Sequence, residues 1–367
     1  MHRLFSRVRQ PVKRGNAEHY LLLMLLSFAV SVTLTRLFLY LTGYPQIGGG
    51  QLHIAHLLWG GLLLFVASLL MLILANRWVL TTGAILSGVG VGLFIDEVGK
   101  FITRSNDYFF PAAAPIIYAF FLLTVLVYLR VRRPPSGDPR SALYHVFEDF
   151  QEVLDHDLDP LEHADLEAHL QMIAEQQQYP DLAHLATEMS HFLDSSDLQL
   201  VPHHAGVWER AAKWLQVWVT RLMNRRRLKL VLVVGLAALA VQALFDPVMV
   251  ALAIIFPADW STWLPRLVEL GRVSGAGGLM GFRLQLALEG AVGVLMLASC
   301  VLLLLQREQH GLTFGFFGLL LSLTTVNLLV FFFEQFSTIV LAAVQFMLLL
   351  GVMRFRRHFL ALVRDLK

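Results

Sequence analysis

Residues 52–75 read LHIAHLLWGGLLLFVASLLMLILA, 24 positions without an Asp, Glu, Lys or Arg. An α-helix rises about 1.5 Å per residue, so about 20 apolar residues cross the ~30 Å hydrocarbon core of a bilayer. A helix of a soluble domain would carry a polar face at regular intervals. This stretch carries none, and it predicts a membrane span. Seven further apolar blocks read the same way: approximately 20–42, 79–99, 111–130, 229–256, 283–305, 312–334 and 337–353. The composition agrees, with 56% hydrophobic and 15% charged residues, where a soluble domain carries about 25% charged. The fold class expected is all-α, a polytopic membrane protein of about eight transmembrane helices with a small helical cytoplasmic insert.

Lys/Arg asymmetry sets the expected orientation. Arg3, Arg7, Arg9, Lys13 and Arg14 precede the first span, which predicts a cytoplasmic N-terminus. Alternation then makes Arg77, Arg130, Arg132, Arg133 and Arg307 cytoplasmic, along with Arg354, Arg356, Arg357 and Arg364 after the last span. The outer connections hold only Lys100, Arg104, Arg266 and Arg272, with Arg283 at the edge, and turn residues besides: Gly43, Pro45 and Gly48 to Gly50 in the first, Pro257, Pro265 and Gly275 to Gly281 in the third. The basic N-terminus leads into a long run without a small-residue cleavage site, so it reads as a retained first helix. The expected location is the plasma (inner) membrane of a bacterium, with both termini cytoplasmic. The single cysteine, Cys300, excludes a disulfide framework and any Cys-based metal site.

The middle of the chain differs in kind. Between Ser141 and Glu209 lie 15 Asp or Glu and no Lys or Arg. Leu143, Phe147, Phe150 and Leu154 recur at helical spacing. A second helix is expected over Asp159–Gln177 with Pro160 in its first turn, and a third from Pro180. Between Arg210 and Lys229 the charge reverses, with 7 basic residues interleaved with Trp214 and Trp218. That pattern suits an amphipathic helix on the anionic inner leaflet or a stop-transfer flank. The expected division is 1–133 as a first four-span bundle, 134–227 as the acidic insert ending in the basic helix, and 228–367 as a second four-span bundle.

Ionisable side chains inside spans cost about 2.5–3.5 kcal/mol each on insertion scales, so each asks for a reason. His53 and His56 open the second span. The third ends at Asp96-Glu97, and Ala84, Gly88 and Gly92 form a small-residue stripe that Asp96 continues. Alternation brings His56 and Asp96 to similar depth in the outer half, and Arg36 lies in the outer half of the first span. Two imidazoles and two carboxylates suit a divalent metal, or general acid–base catalysis, with His53, His56, Asp96 and Glu97 as ligands or catalytic groups. The same set suits a proton relay or a purely structural pairing. Asp246, Glu289, Asn327 and Glu334 are the intramembrane polar residues of the second half, and Asp246-Pro247 reads as an interruption of the fifth span.

The segment from Gln51 to Tyr118, with His56 near the start of one span, a Gly-rich next span ending at Glu97 and Asp107 in the loop that follows, resembles the VanZ-like and YjdF-type small membrane families. The resemblance covers under a fifth of the chain and implies a helical membrane fold without a defined activity. The His and acid set also resembles, more loosely, intramembrane lipid hydrolases of the ceramidase type, whose Ser and three-His arrangement is incomplete here.

These readings leave three functions open. One is an outward-facing polar site for chemistry or binding on a lipid-type substrate. Another is an ion- or proton-coupled transporter. The third is a scaffold whose acidic insert, residues 141–209, docks a basic cytoplasmic protein. The bilayer is the constant partner, and an acidic soluble unit disfavours nucleic acid.

Overall fold

The computed structural model describes residues 11–43, 55–132, 139–175, 179–194, 200–201, 224–255, 275–334, 339–356 and 359. These residues form an all-α membrane protein. Seven helices are long and apolar enough to cross a bilayer, and an eighth apolar helix of 17 residues follows. His53, the basic segment 210–223 and Arg266 lie outside the described residues. By contact the chain divides into two compact units, residues 1–97 with 121–208 and residues 98–120 with 209–367. The first of these units holds the insert's helices together with the first spans, and the first insert helix pairs with residues at the ends of those spans.

The first unit contains α1 (Ala17–Thr42), α2 (His56–Ile73) and α3 (Arg77–Asp96). Gly43 ends α1 in a left-handed conformation (φ 71°) and returns its N–H to the Leu39 carbonyl, the usual way a helix end satisfies its open carbonyls. The two glycine faces of α3 bring its backbone against both neighbours. A Cβ on Gly92 would stand 2.8 Å from Ser31 Cβ on α1, and one on Gly90 would stand 2.9 Å from the Gly60 carbonyl on α2. Without a hydrophobic drive between helices in lipid, such close packing is what holds spans together.

Numbering continues with α4 (Val98–Ile102) and α5 (Ala113–Val131), within which the boundary between the units falls. The insert follows as α6 (Pro139–Leu154), α7 (Pro160–Ala174) and α8 (Pro180–Leu193). Asp159 and Glu162 form a reciprocal capping box at the start of α7, with Pro160 in the first turn as expected. The insert core is Leu143, Val146, Leu166, Leu170, Ile173, Ala186 and Leu193. The helix expected from the spacing of Leu143, Phe147, Phe150 and Leu154 forms as α6, but Phe147 and Leu154 are 52% and 78% exposed. The core face is instead Leu143, Val146, Phe150 and Val153. Both registers are helical; the carboxylates on the other side of α6, which dock on α1 and α3, select between them.

The second unit contains α9 (Arg225–Ile255), α10 (Gly275–Leu304), α11 (Glu308–Leu321), α12 (Asn327–Glu334) and α13 (Ile339–Phe355). Leu228, Leu232, Leu236 and Leu239 of α9 pack with Val292, Met296, Cys300 and Leu303 of α10. Two expectations fail here. Asp246-Pro247 does not interrupt α9, which runs through Pro247. Gly275 to Gly281 are helical, the start of α10. Both follow from one constraint: inside a bilayer a helix satisfies its own backbone, and that outweighs the propensity cost of Pro or Gly. Between α11 and α12, residues Ser322–Val326 form a π-helical segment.

Candidate functional site

The third span expected over 79–99 ends at Asp96; Glu97 leaves helical geometry (φ −91°, ψ 11°) before α4 begins. A carboxylate at a helix C-terminus faces the negative end of the helix dipole. Arg36 answers this. Its Nε donates to Asp96 Oδ1 at 2.5 Å, and its Nη2 donates to the Asp96 backbone carbonyl at 3.0 Å. One guanidinium thus serves the side chain and one of the helix's open carbonyls. Asp96 is fully buried, and Arg36 and Glu97 are also buried.

His56 completes the group from α2, where it is the first helical residue. Its Nε2 lies 3.0 Å from Asp96 Oδ2, and its Nδ1 lies 3.3 Å from Glu97 Oε1. At 22% side-chain exposure it is the most accessible of the four. The expected common depth of His56 and Asp96 is therefore met by direct contact. The small-residue stripe also behaves as expected, since Gly88 and Gly92 face α1, and Asp96 continues that face onto Arg36.

The chemistry follows from proton counting. A neutral imidazole has one N–H and one lone pair. A ring with a carboxylate oxygen at each nitrogen needs a second N–H, or a proton on one carboxylate. Arg36, Asp96 and Glu97 together carry one net negative charge, so the four groups are neutral as a set only when that extra proton is present.

A single metal ion would need its ligands to converge on one point. Asp96 and Glu97 instead stand at different nitrogens of the ring, and Arg36 occupies one oxygen of Asp96. Among the described residues no group of three His, Cys, Asp or Glu could hold a metal ion.

The other expected polar residues fall in the second unit. Asp246 is half-buried on α9. Glu289 accepts a hydrogen bond from Gln285 Nε2 at 2.8 Å. Asn327 donates to Gln345 Oε1 at 2.8 Å. Tyr118 donates to the Leu323 carbonyl in the π-helical segment at 2.7 Å and stacks on Phe331. The side chain of Glu334 lies outside the described residues. Asp107 organises its own turn, its Oδ1 accepting from the Phe109 N–H at 2.9 Å. Tyr118, Gln285 and Gln345 were missed from sequence. A rule that flags intramembrane amides as well as charges would have found the two glutamines; nothing marks Tyr118 among other aromatics.

No family model, curated protein or solved structure matches the chain.

Proposed function

We propose that this multi-pass membrane protein works through a proton bound at His56, exchanged between the Asp96 and Glu97 carboxylates and water. The observation that carries the reading is the imidazole held between two carboxylates, Nε2 to Asp96 and Nδ1 to Glu97. Arg36 supports it by pairing with Asp96, which leaves His56 and Glu97 to carry the exchangeable proton. The partial exposure of His56 supports a route for that proton to leave. Lys/Arg asymmetry supports placing this end of the helices on the outer side of the membrane. A proton-coupled transporter is the functional class this favours. Acid–base catalysis on a lipid-type substrate is less favoured, because both ring nitrogens already face carboxylates. A basic protein partner of the insert would have to use α7 and α8, since the acidic row of α6 is engaged within the chain.

The test is imidazole nitrogen NMR on ¹⁵N-histidine-labelled protein in nanodiscs, with His56→Gln identifying the resonance. The expected result is a switch of His56 between two-N–H and one-N–H forms between about pH 4 and 9. A His56 signal that keeps one form across that range would sink the reading.

A further inference from the structure

α1 and α3 run side by side in constant register. A Cβ on Gly88 would meet Ser27 and one on Gly92 would meet Ser31, 61 positions back in each case. The same register sets Arg77, the first residue of α3, level with Asn16, just ahead of α1. Between Arg77 and Asp96 α3 carries no charge, so Arg77 marks where the hydrocarbon core gives way to headgroups. α6 reaches both spans at this level. His145 Nε2 lies 2.9 Å from the Lys13 carbonyl, and Glu148 accepts from the Gly15 N–H at 2.7 Å. Further along α6, Glu152 pairs with Arg77, and Asn76 donates to Asp155 Oδ2 at 3.2 Å. From His145 to Asp155 is about 15 Å of helix at 1.5 Å per residue. Their partners stand at nearly one depth on two neighbouring spans, so α6 lies across the span ends, along the bilayer surface.

The three sides of α6 have different surroundings. Leu143, Val146, Phe150 and Val153 form the insert core with α7 and α8, and the acidic row meets the span ends. Tyr144 and Phe147 occupy the remaining side, each more than half exposed. Residues of a helix advance by about 100°, so Tyr144 stands about 40° from Glu148 and Phe147 about 100° from it, both in the same sense. Tyr144 therefore borders the row turned toward the spans, and Phe147 follows it round toward the core. The Arg140 guanidinium lies 5.5 Å from the centre of the Tyr144 ring, which adds a cation to this side. Aromatic rings with a polar edge, accompanied by Arg, are the chemistry that settles at the headgroup level of a bilayer. Glu148, Glu152 and Asp155, which lipid phosphates would repel, are turned instead to Gly15, Arg77 and Asn76. We propose that the Tyr144–Phe147 side of α6 rests in the headgroup–acyl boundary of the leaflet at the Arg77 end. Its partner is the phospholipid surface, and lipid holds the insert against the membrane together with the ion pairs to Arg77.

The experiment uses the full chain in nanodiscs of phosphatidylcholine and phosphatidylglycerol. On a Cys300→Ser background, Tyr144→Cys, Phe147→Cys or Glu188→Cys carries a nitroxide label. Glu188 on α8, with its side chain 66% exposed, is the water-facing control. Collisions of the label with oxygen, which concentrates in lipid, are compared with collisions with a nickel chelate, which stays in water. The expected result is oxygen contact exceeding nickel contact at the Tyr144 and Phe147 positions, and the reverse at the Glu188 position. Nickel contact at Tyr144 and Phe147 equal to that at Glu188 would put this side of α6 in water and overturn the proposal. Labels there that neither reagent reaches would also overturn it, because protein would then cover the helix. Unmodified protein supplies a check free of substitution. A phospholipid with a photoreactive group near its headgroup is expected to mark the peptide containing Tyr144 and Phe147; a chain left unmarked there would contradict the placement.

Discussion

Arg77 and Asp96 are the first and last residues of α3, and an ion pair to a different element holds each. Arg77 is gripped by Glu152 of α6, and Asp96 by Arg36 of α1. At 1.5 Å per residue the two anchors stand about 28 Å apart, close to the thickness of a hydrocarbon core. The helix between them carries no charge and packs through its glycines. Electrostatics fix its two ends, and close backbone packing holds its middle.

Removing one partner of a buried pair leaves the other charged and uncompensated. Asp96→Asn is expected to destabilise the protein by about 3–5 kcal/mol, because Arg36 stays buried. Replacing both, as Arg36→Met/Asp96→Leu, is expected to recover most of that loss. Reversible unfolding in detergent or bicelles measures it; a double variant as unstable as the single one would contradict the account.

The glycine faces of α3 make a different demand from Gly61 of α2. Gly88 lies against the Met24 carbonyl and 2.7 Å, as an added Cβ, from Ser27 Cβ. Gly88→Val is expected to separate α1 from α3 at a cost of about 1–3 kcal/mol. Gly61 has nothing within 4 Å of an added Cβ, so Gly61→Ala is expected to be tolerated. Thermal unfolding of the two variants side by side is the measurement.

Burial pushes the Asp149 carboxyl above its usual range, and Arg77 and His169 pull it back only in part. A group whose folded value is raised binds more protons when docked, so stability falls as pH rises through the interval from its unfolded to its folded value. The docked insert should therefore gain from Asp149 at acidic pH and lose that gain above the carboxylate range. Asp149→Asn is expected to flatten this part of the stability–pH curve, read as melting temperature against pH. A slope identical to wild type would remove Asp149 from the explanation.

In the second unit, Tyr118 donates to the Leu323 carbonyl, and Asn327 donates to Gln345. The π-helical segment loosens the regular ladder around Leu323, and the Tyr118 hydroxyl supplies a partner there. Tyr118→Phe is expected to cost about 1 kcal/mol. A double-mutant cycle on Asn327 and Gln345 is expected to return about 0.6 kcal/mol of coupling, the typical value for side-chain bonds within a membrane. A cycle that closes at zero would show that the pair is incidental.

The spans were legible because the bilayer imposes a rule that acts on each segment separately. A run of about 20 apolar residues must satisfy its own backbone, so helix and length follow from composition alone. The capping of α7 was legible for a similar reason, since Asp159, Pro160 and Glu162 act within one turn. The same self-sufficiency explains the errors: Pro247 and the glycines from Gly275 looked like breaks, yet continuing the helix was the cheaper backbone solution.

The site was half legible. Composition and alternation brought Arg36, His56, Asp96 and Glu97 to one depth, because depth depends only on counting residues from a helix end. Which atoms meet depends on the rotation of three helices about their axes, and glycines 88 and 92 on one face and 90 on another settle that rotation. Only the packed structure could assign Asp96 to both Arg36 and His56, and Glu97 to the second nitrogen of the same ring. The role of α6 was hidden for the same reason. Its acidic row reads equally well as a surface for a foreign partner, and its contact with Arg77 joins residues 75 positions apart, a distance over which local physics carries no information.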